Sequence, residues 1–313
     1  MLAVLARLLS LAWRRRGARI AEVHAAGARV WYAEFAPLGP DGRARQPAGG
    51  ARATGRGRSR RTRGAGAPTV ILLHGLGASS ASFFPVVGAL RAGYRVVVPD
   101  LPGAGWSRTP RGRPFPTFAQ IVDAAEAFVA ATAPGGAYLA GNSMGGWIAT
   151  KVAARRPDLV RGVALINPGG PALDARDWAD LGRVVSGADA PAASDLGARI
   201  FARVPRAAAR LLGREIARLL SAPPVVHLVA TLRAEDFLSE EELARVECPA
   251  VLIWGESDRF IPPGCRDFFL EKLPHVRHEP LPDCGHCPQL ECPRRTAEIL
   301  LRLPRMRRRR RAA

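Results

Sequence analysis

Lysine is almost missing from this chain of 313 residues, in which Lys151 and Lys272 stand against 44 arginines. Such a bias, together with 32 glycines and 27 prolines, is typical of a GC-rich coding sequence, so part of the arginine excess is compositional. Long apolar runs are missing as well. None reaches the roughly 18–20 residues that a helix needs to cross a bilayer, which excludes a polytopic membrane protein.

Cysteine is also scarce, with five residues in a chain long enough to bury a core without covalent bridges. An odd and modest count of this kind predicts a reducing compartment. The N-terminus does not resemble a signal peptide, because its apolar stretch is short and its arginine cluster follows that stretch. These features predict a cytoplasmic protein.

The net charge of +19 is confined to three segments. Residues 1–19, 41–66 and 302–311 carry +5, +7 and +7, so the rest of the chain is neutral and has no electrostatic reason to bind nucleic acid. Arginines beside an apolar helix face can instead hold a protein on an anionic membrane. We expect reversible docking on the inner face of the membrane through residues 1–19 and 302–311, with Trp13 at headgroup depth. Solvated arginine is the alternative.

Strand and helix patterns alternate along most of the chain, which predicts a mainly parallel sheet with helices on both faces. Short, largely apolar runs bounded by Gly and Pro predict strands at 20–24, 29–35, 69–73, 95–98, 137–140, 160–166 and 250–254. The predicted parts are an N-terminal apolar and basic segment (1–19), a first core part (20–167) with a flexible basic insertion (36–67), a helical cap (168–246), a second core part (247–303) and a basic tail (304–313).

The strongest motif is Gly141-Asn142-Ser143-Met144-Gly145, which follows a predicted strand and opens a predicted helix. It fits G-x-S-x-G, in which a serine sits on a tight, strained turn and the flanking glycines avoid a steric clash. This context predicts that Ser143 is a nucleophile held out at the edge of the sheet, near the start of the next helix. The alternative is an ordinary turn serine.

A serine nucleophile needs a base, and the base needs an acid that orients it. Asp258 follows the predicted strand 250–254, and His286 precedes the last predicted helix. Each residue alone is most simply an ordinary loop residue. The order Ser143, Asp258, His286 after three strand ends predicts a catalytic triad. Asp283 is a poor alternative acid, because it lies in the same turn as His286.

Three cysteines surround His286 and raise two alternatives. Cys284 and Cys287 form a C-x-x-C, but redox chemistry needs this motif at the start of a helix after a thioredoxin-type strand. A zinc site that also used Cys292 would place four ligands within nine residues, which leaves little loop to wrap the ion. We interpret the cysteines as small apolar side chains in a loop and expect no metal.

Taken together, the motifs resemble the α/β-hydrolase fold family over roughly residues 20–35 and 67–301. The resemblance rests on the Ser143 motif, the Asp258 and His286 loops, the run His74-Gly75-Leu76-Gly77 and the run 100–107. It implies an α/β-hydrolase fold with a helical cap inserted between strands. Within the family, the sequence resembles monoacylglycerol lipases and the carbon–carbon hydrolases of aromatic degradation.

The resemblance also implies the rest of the site. The backbone N–H groups of Leu76 and Met144 would form an oxyanion hole, and His74 would brace its loop rather than transfer protons. Gly75 and Trp106 are candidate residues of the substrate pocket, with a simple cover over the sheet edge as the alternative for Trp106. No metal or organic cofactor is implied.

A serine at this motif argues against dehalogenases and epoxide hydrolases, which carry aspartate there. We expect a serine hydrolase that cleaves a carboxylic ester, and leucine-rich cap helices favour an apolar acyl group. A carbon–carbon bond hydrolase is the first alternative, although such enzymes often carry Trp where Cys287 stands. A non-enzymatic basic protein that binds a membrane or nucleic acid is the second, supported only by the arginine-rich segments.

Overall fold

The fold is built on one twisted sheet whose central strands run parallel. This computed structural model describes residues 11–39, 41–42, 44, 67–109, 112, 114–177, 179, 190–273 and 275–306. Within them the strands are β1 (Arg19–Ala25), β2 (Ala28–Phe35), β3 (Thr69–Leu73), β4 (Arg95–Pro99), β5 (Ala137–Asn142), β6 (Val160–Ile166), β7 (Ala250–Gly255) and β8 (Arg277–Leu281). Their spatial order is β1-β2-β4-β3-β5-β6-β7-β8. β1, β2 and β4 pair antiparallel, and the pairings from β4 to β8 are parallel.

The central strands match the sequence prediction closely because their side chains are apolar on both faces. β3 and β6 have the predicted bounds, and nearly all of their residues are buried, as a parallel sheet covered by helices requires. β8 was not predicted as a strand. Its sequence is polar because it lies at the sheet edge, where Glu279 and Leu281 alone are buried.

Helices cover both faces of the sheet. They are α1 (Phe84–Leu90), α2 (Phe118–Thr132), α3 (Met144–Arg155), α4 (Ala190–Ile200), α5 (Arg206–Leu220), α6 (Pro223–Ala230), α7 (Glu240–Ala244), α8 (Pro263–Lys272), α9 (Pro288–Glu291) and α10 (Pro293–Arg302). Side chains of α2, α3 and α8 pack on one face, and those of α1 and α10 pack on the other. The two layers leave the carboxyl ends of the parallel strands along one edge, where loops of this fold class carry functional groups.

The regular structure between β6 and β7 is helical throughout the residues that are described there. α4 and α5 pack so closely that a Cβ on Gly197 would collide with the carbonyl of Ala209. This agrees with the expectation of a helical segment, while the cap boundaries 168–246 stay a prediction. Most of the basic insertion 36–67, residues 1–10 and residues 307–313 lie outside the described part of the chain. No described helix is long and apolar enough to span a membrane.

The expectation that Trp13 sits at membrane headgroup depth is wrong. Its side chain is 1% exposed and belongs to the core beside α1. The indole packs edge-on against Phe35 and Phe84, with ring centroids 5.4 and 4.7 Å away. The adjacent Arg16 lies over the Phe84 ring at 3.7 Å. A ring that fills a core site is unavailable to lipid, so Trp13 ties the helical turn at residues 11–15 to the core.

Trp13→Ala should therefore destabilise the protein strongly, because it removes a large buried side chain and leaves a cavity. We expect the free energy of unfolding to fall by about 3–5 kcal/mol, measured by urea unfolding. Leu11→Ala, on the same helical turn but 45% exposed, is the matched control and should change it by less than about 1 kcal/mol. Equal stability of the two variants would contradict the burial of Trp13.

Candidate active site

Ser143 lies on a strained turn between β5 and α3. Its backbone has φ 56° and ψ −121°, a conformation that residues with a Cβ rarely adopt. A Cβ on Gly141 would collide with the carbonyl of Gly145, and a Cβ on Gly145 with the carbonyl of Leu73. The glycines of the motif thus allow α3 to begin this close to β3 and β5, as the sequence predicts, and the turn sets Ser143 at the carboxyl edge of the sheet.

Asp258 and His286 form a buried hydrogen-bonded pair at the same edge. Nδ1 of His286 lies 2.8 Å from Oδ2 of Asp258, with side chains 5% and 0% exposed. The other carboxylate oxygen, Oδ1, accepts the backbone N–H groups of Phe260 and Ile261 at 2.8 and 3.1 Å. Because Nδ1 donates its proton to Asp258, Nε2 is the ring nitrogen that can accept a proton.

The rejected alternative acid, Asp283, points elsewhere. Its side chain is 66% exposed and pairs with Arg203 at the surface. Its backbone has φ 60°, which marks the tight turn before the histidine loop. The structure therefore brings Asp258, and not Asp283, to the imidazole of His286.

Asn142 ties the turn of Ser143 to the histidine loop, a role that the sequence analysis missed. Its Nδ2 donates to the backbone carbonyls of His286 and Ile166 at 2.9 and 3.0 Å. Its Oδ1 accepts Nε2 of Gln289 at 3.0 Å. These bonds link the residue before Ser143 to the backbone of His286. The only sequence signal was the place of Asn142 inside the motif.

The histidine loop is closed by a disulfide between Cys284 and Cys292, whose Cα atoms lie 6.5 Å apart. The expectation of unpaired cysteines is wrong for this pair, because α9 turns the chain back and brings Cys292 to Cys284. Disulfides persist in oxidising environments, so the pair argues against the predicted reducing compartment. Cys287 keeps a free thiol, and burial raises its pKa, so the thiol is neutral.

An apolar cavity of about 90 Å³ lies beside Ser143. Leu76 and Met144, the two residues expected to form the oxyanion hole, both line it. Its far walls include Leu228 from α6 and Phe237 from the turn before α7. Within the described part of the chain, no charged side chain lines this cavity. The space next to Ser143 is therefore suited to a small hydrocarbon group.

The two remaining pocket candidates, Gly75 and Trp106, do not line the cavity beside Ser143. A Cβ on Gly75 would sit only 3.1 Å from the Cβ of Ser143, so Gly75 leaves room for the serine but does not line the cavity. Trp106 lines a separate groove together with Trp31. Its backbone N–H donates to Oδ2 of Asp100 at 2.8 Å. Trp106 is accordingly not part of the cavity at the nucleophile.

Two side chains of α3 hold the turn before α7 over the cavity. Trp147 donates its Nε1–H to the carbonyl of Asp236 at 2.9 Å and stacks on Phe237 at 5.4 Å. Lys151 is 2% exposed, donates to the carbonyl of Phe237 at 2.9 Å and pairs with Glu242 at 2.8 Å. One of the two lysines of the chain is thus buried, where it fastens a wall of the cavity to the helix behind Ser143.

His74 braces two loops, as the resemblance implied. Its Nδ1 donates to the carbonyl of Gly75 at 2.8 Å, and its Nε2 accepts the backbone N–H of Leu101 at 2.9 Å. Burial lowers the pKa of His74, so the ring is neutral and can donate at one nitrogen while it accepts at the other. With both nitrogens occupied, His74 holds the loop that carries Leu76.

The comparisons with known proteins agree with this fold. A family profile described as alpha/beta hydrolase fold matches residues 68–293. The chain belongs to the α/β hydrolase fold family.

Esterases and lipases are among its relatives. The chain is 30% identical to a pimeloyl-acyl-carrier-protein methyl ester esterase of Chromobacterium violaceum, over 71% of this chain and 89% of the relative. It is 24% identical to Lipase 3 of Moraxella sp. (strain TA144), over 73% of this chain and 74% of that lipase. Among solved structures, a bacterial membrane phospholipase A superposes with a TM-score of 0.72 at 26% identity, covering 96% of this chain and 90% of that one.

Proposed function

We propose that this protein is a serine hydrolase that cleaves carboxylic esters through an acyl-enzyme on Ser143. Nε2 of His286 takes the hydroxyl proton while Oγ of Ser143 attacks the ester carbonyl. The backbone N–H groups of Leu76 and Met144 donate to the oxyanion, each stabilising it by about 3 kcal/mol. His286 then passes the proton to the departing alcohol and afterwards activates the water that releases the acid.

The observation that carries this proposal is the buried pair of Asp258 and His286 at the sheet edge that also bears the strained Ser143. Asp258 orients the imidazole and stabilises its charged form when the proton arrives. The bond from Asn142 to the carbonyl of His286 supports a fixed distance between nucleophile and base. Residues of three separate loops meet here, which an ordinary turn serine would not require.

The cavity favours an ester with an apolar acyl group over a carbon–carbon bond substrate. A charged substrate group buried among apolar side chains without a partner is strongly disfavoured. The described cavity lining offers the hydroxyl of Ser143 and otherwise mainly apolar surface. The carbon–carbon hydrolase therefore stays the alternative, and a purely binding role is the second.

Replacement of the nucleophile tests the proposed function. Ser143→Ala should lower kcat/KM for p-nitrophenyl butyrate at least about 1,000-fold, because the covalent route is lost. Ser82→Ala, which changes a serine bonded only to a neighbouring carbonyl, is the matched control and should leave the rate unchanged. A Ser143→Ala enzyme with more than a few per cent of the wild-type rate would refute the assignment. Wild-type protein without activity on any ester would favour a binding role.

The size of the cavity predicts the acyl length. At about 90 Å³ it is smaller than the roughly 150 Å³ apolar cavity that accommodates benzene, so we expect butyrate esters to be cleaved faster than decanoate esters. Leu228→Ala should enlarge the cavity and raise the decanoate-to-butyrate ratio of kcat/KM about 10-fold, since each buried methylene contributes ~0.8 kcal/mol. Leu211→Ala, at an exposed site of α5, is the control. An unchanged ratio in Leu228→Ala would place the acyl group elsewhere.

Docking on an anionic membrane through residues 1–19 and 302–311 stays a prediction. The burial of Trp13 removes the aromatic anchor on which the N-terminal part relied. The remaining support is the positive charge of the two segments, whose outer residues lie beyond the described chain.

A further inference from the structure

We infer that Asn167 is a positioning residue that fixes the Asp258 carboxylate toward His286, and so sets the rate of the chemical step. The inference rests on the proposed function and adds a residue that the motifs do not contain. Asn167 follows β6, the strand between the one that leads to Ser143 and the one that leads to Asp258. It is fully buried and has φ 41°, a conformation that asparagine tolerates better than most residues.

Both ends of the Asn167 amide are used. Its Oδ1 accepts the backbone N–H of Gly255 at 3.0 Å, and its Nδ2 donates to Oδ2 of Asp258 at 2.7 Å. These bonds define the orientation of the amide. A flipped amide would set its NH₂ against the N–H of Gly255 and its oxygen against the Asp258 carboxylate, so both contacts would become repulsive. Because Oδ1 of Asn167 accepts the N–H of Gly255, the amide is held with its Nδ2 directed at Asp258.

The Nδ2 donor of Asn167 bonds the same carboxylate oxygen of Asp258 that bonds the imidazole of His286. Oδ2 of Asp258 is the atom that accepts Nδ1 of His286 at 2.8 Å, and Asn167 donates to that same atom. Oδ1 is already held by two backbone amides. Without Asn167, Oδ2 would lose the partner that resists its rotation out of the imidazole plane, and a bond to a buried charged group would be left unmade.

Composition gives an independent indication. The chain contains two asparagines, Asn142 and Asn167. Asparagine, like lysine, has AT-rich codons and is scarce in this chain. Both are buried, and each donates to one member of the pair of Asp258 and His286. Chance placement on the surface would not bring the two asparagines of the chain to one site.

Asn167 does not line the cavity beside Ser143, so its loss should act on kcat rather than on KM. Two variants separate positioning from mere structural support. Asn167→Leu keeps the volume and removes both hydrogen bonds. Asn167→Asp keeps the shape and the acceptor for the N–H of Gly255, but replaces the donor with a carboxylate that repels Asp258. A structural role alone predicts that Asn167→Asp is nearly as active as the wild type.

We expect kcat for p-nitrophenyl butyrate to fall about 10- to 100-fold in both variants, with KM within about threefold of the wild-type value. In Asn167→Asp the acidic limb of the kcat/KM profile should also move to higher pH. The added negative charge favours the protonated imidazole, and His286 must be neutral to act as a base. Two buried thiols among the described residues, those of Cys265 and Cys287, also interact with Asp258. Burial raises the pKa of both, that of Cys265 to about 12, so they do not contribute to that limb.

Tyr94→Phe is the matched control. It removes one buried hydrogen bond, from the Tyr94 hydroxyl to the carbonyl of Leu300 at 2.7 Å, in the core layer under α10. It should lower the unfolding temperature while leaving kcat unchanged. The unfolding temperature of each Asn167 variant is measured beside it, so that a loss of folded protein is separated from a loss of rate.

Wild-type kcat in Asn167→Asp would overturn the inference, and so would a change in KM alone. An inactive Ser143→Ala enzyme beside a fully active Asn167→Asp enzyme would refute the positioning role and leave the proposed function standing. An active Ser143→Ala enzyme would refute the proposed function itself. If Asn167→Leu does not fold, the kcat and pH profile of Asn167→Asp decide the question alone.

Discussion

The close approach of α3 to the ends of β3 and β5 is the constraint on which the site depends. Gly145 touches the carbonyl of Leu73, and Gly141 touches the backbone of Gly145, with no space for a Cβ at either position. This contact forces the backbone of Ser143 to a positive φ and lifts its side chain out at the sheet edge. The strain is tolerated because β3 and β5 are buried in the centre of the sheet, where well-packed neighbours hold the turn.

Buried polar side chains connect this turn and the loops around it by hydrogen bonds. Asn142 reaches the histidine loop, Asn167 reaches Asp258, and His74 joins the loop of Leu76 to that of Leu101. Lys151 extends the same system to the turn before α7, which walls the cavity. Each of these groups is buried and fully engaged by partners, so each orients a loop instead of destabilising the core.

The sequence predicted the parts of the fold that depend on apolar pattern and local turn chemistry. The bounds of β3 and β6 were predicted to the residue because both are short, largely apolar runs. The pairing of Asp258 with His286 followed from strand order. Features that depend on contacts distant in sequence were not predictable. β8 is polar because it is an edge, Trp13 is buried because Phe35 and Phe84 happen to face it, and Cys284 meets Cys292 through the turn at α9. Trp106 belongs to a conspicuous motif, yet its loop faces another groove.

The most direct test of the account is to map the adduct of an organophosphate ester that mimics the tetrahedral intermediate. Wild-type protein is inactivated with diethyl p-nitrophenyl phosphate, and the modified peptide is identified by mass spectrometry. The account predicts one diethylphosphoryl group per chain, on Ser143, with activity lost in proportion to its incorporation. Full inactivation with the group on another residue, or hydrolysis that survives stoichiometric modification of Ser143, would contradict it.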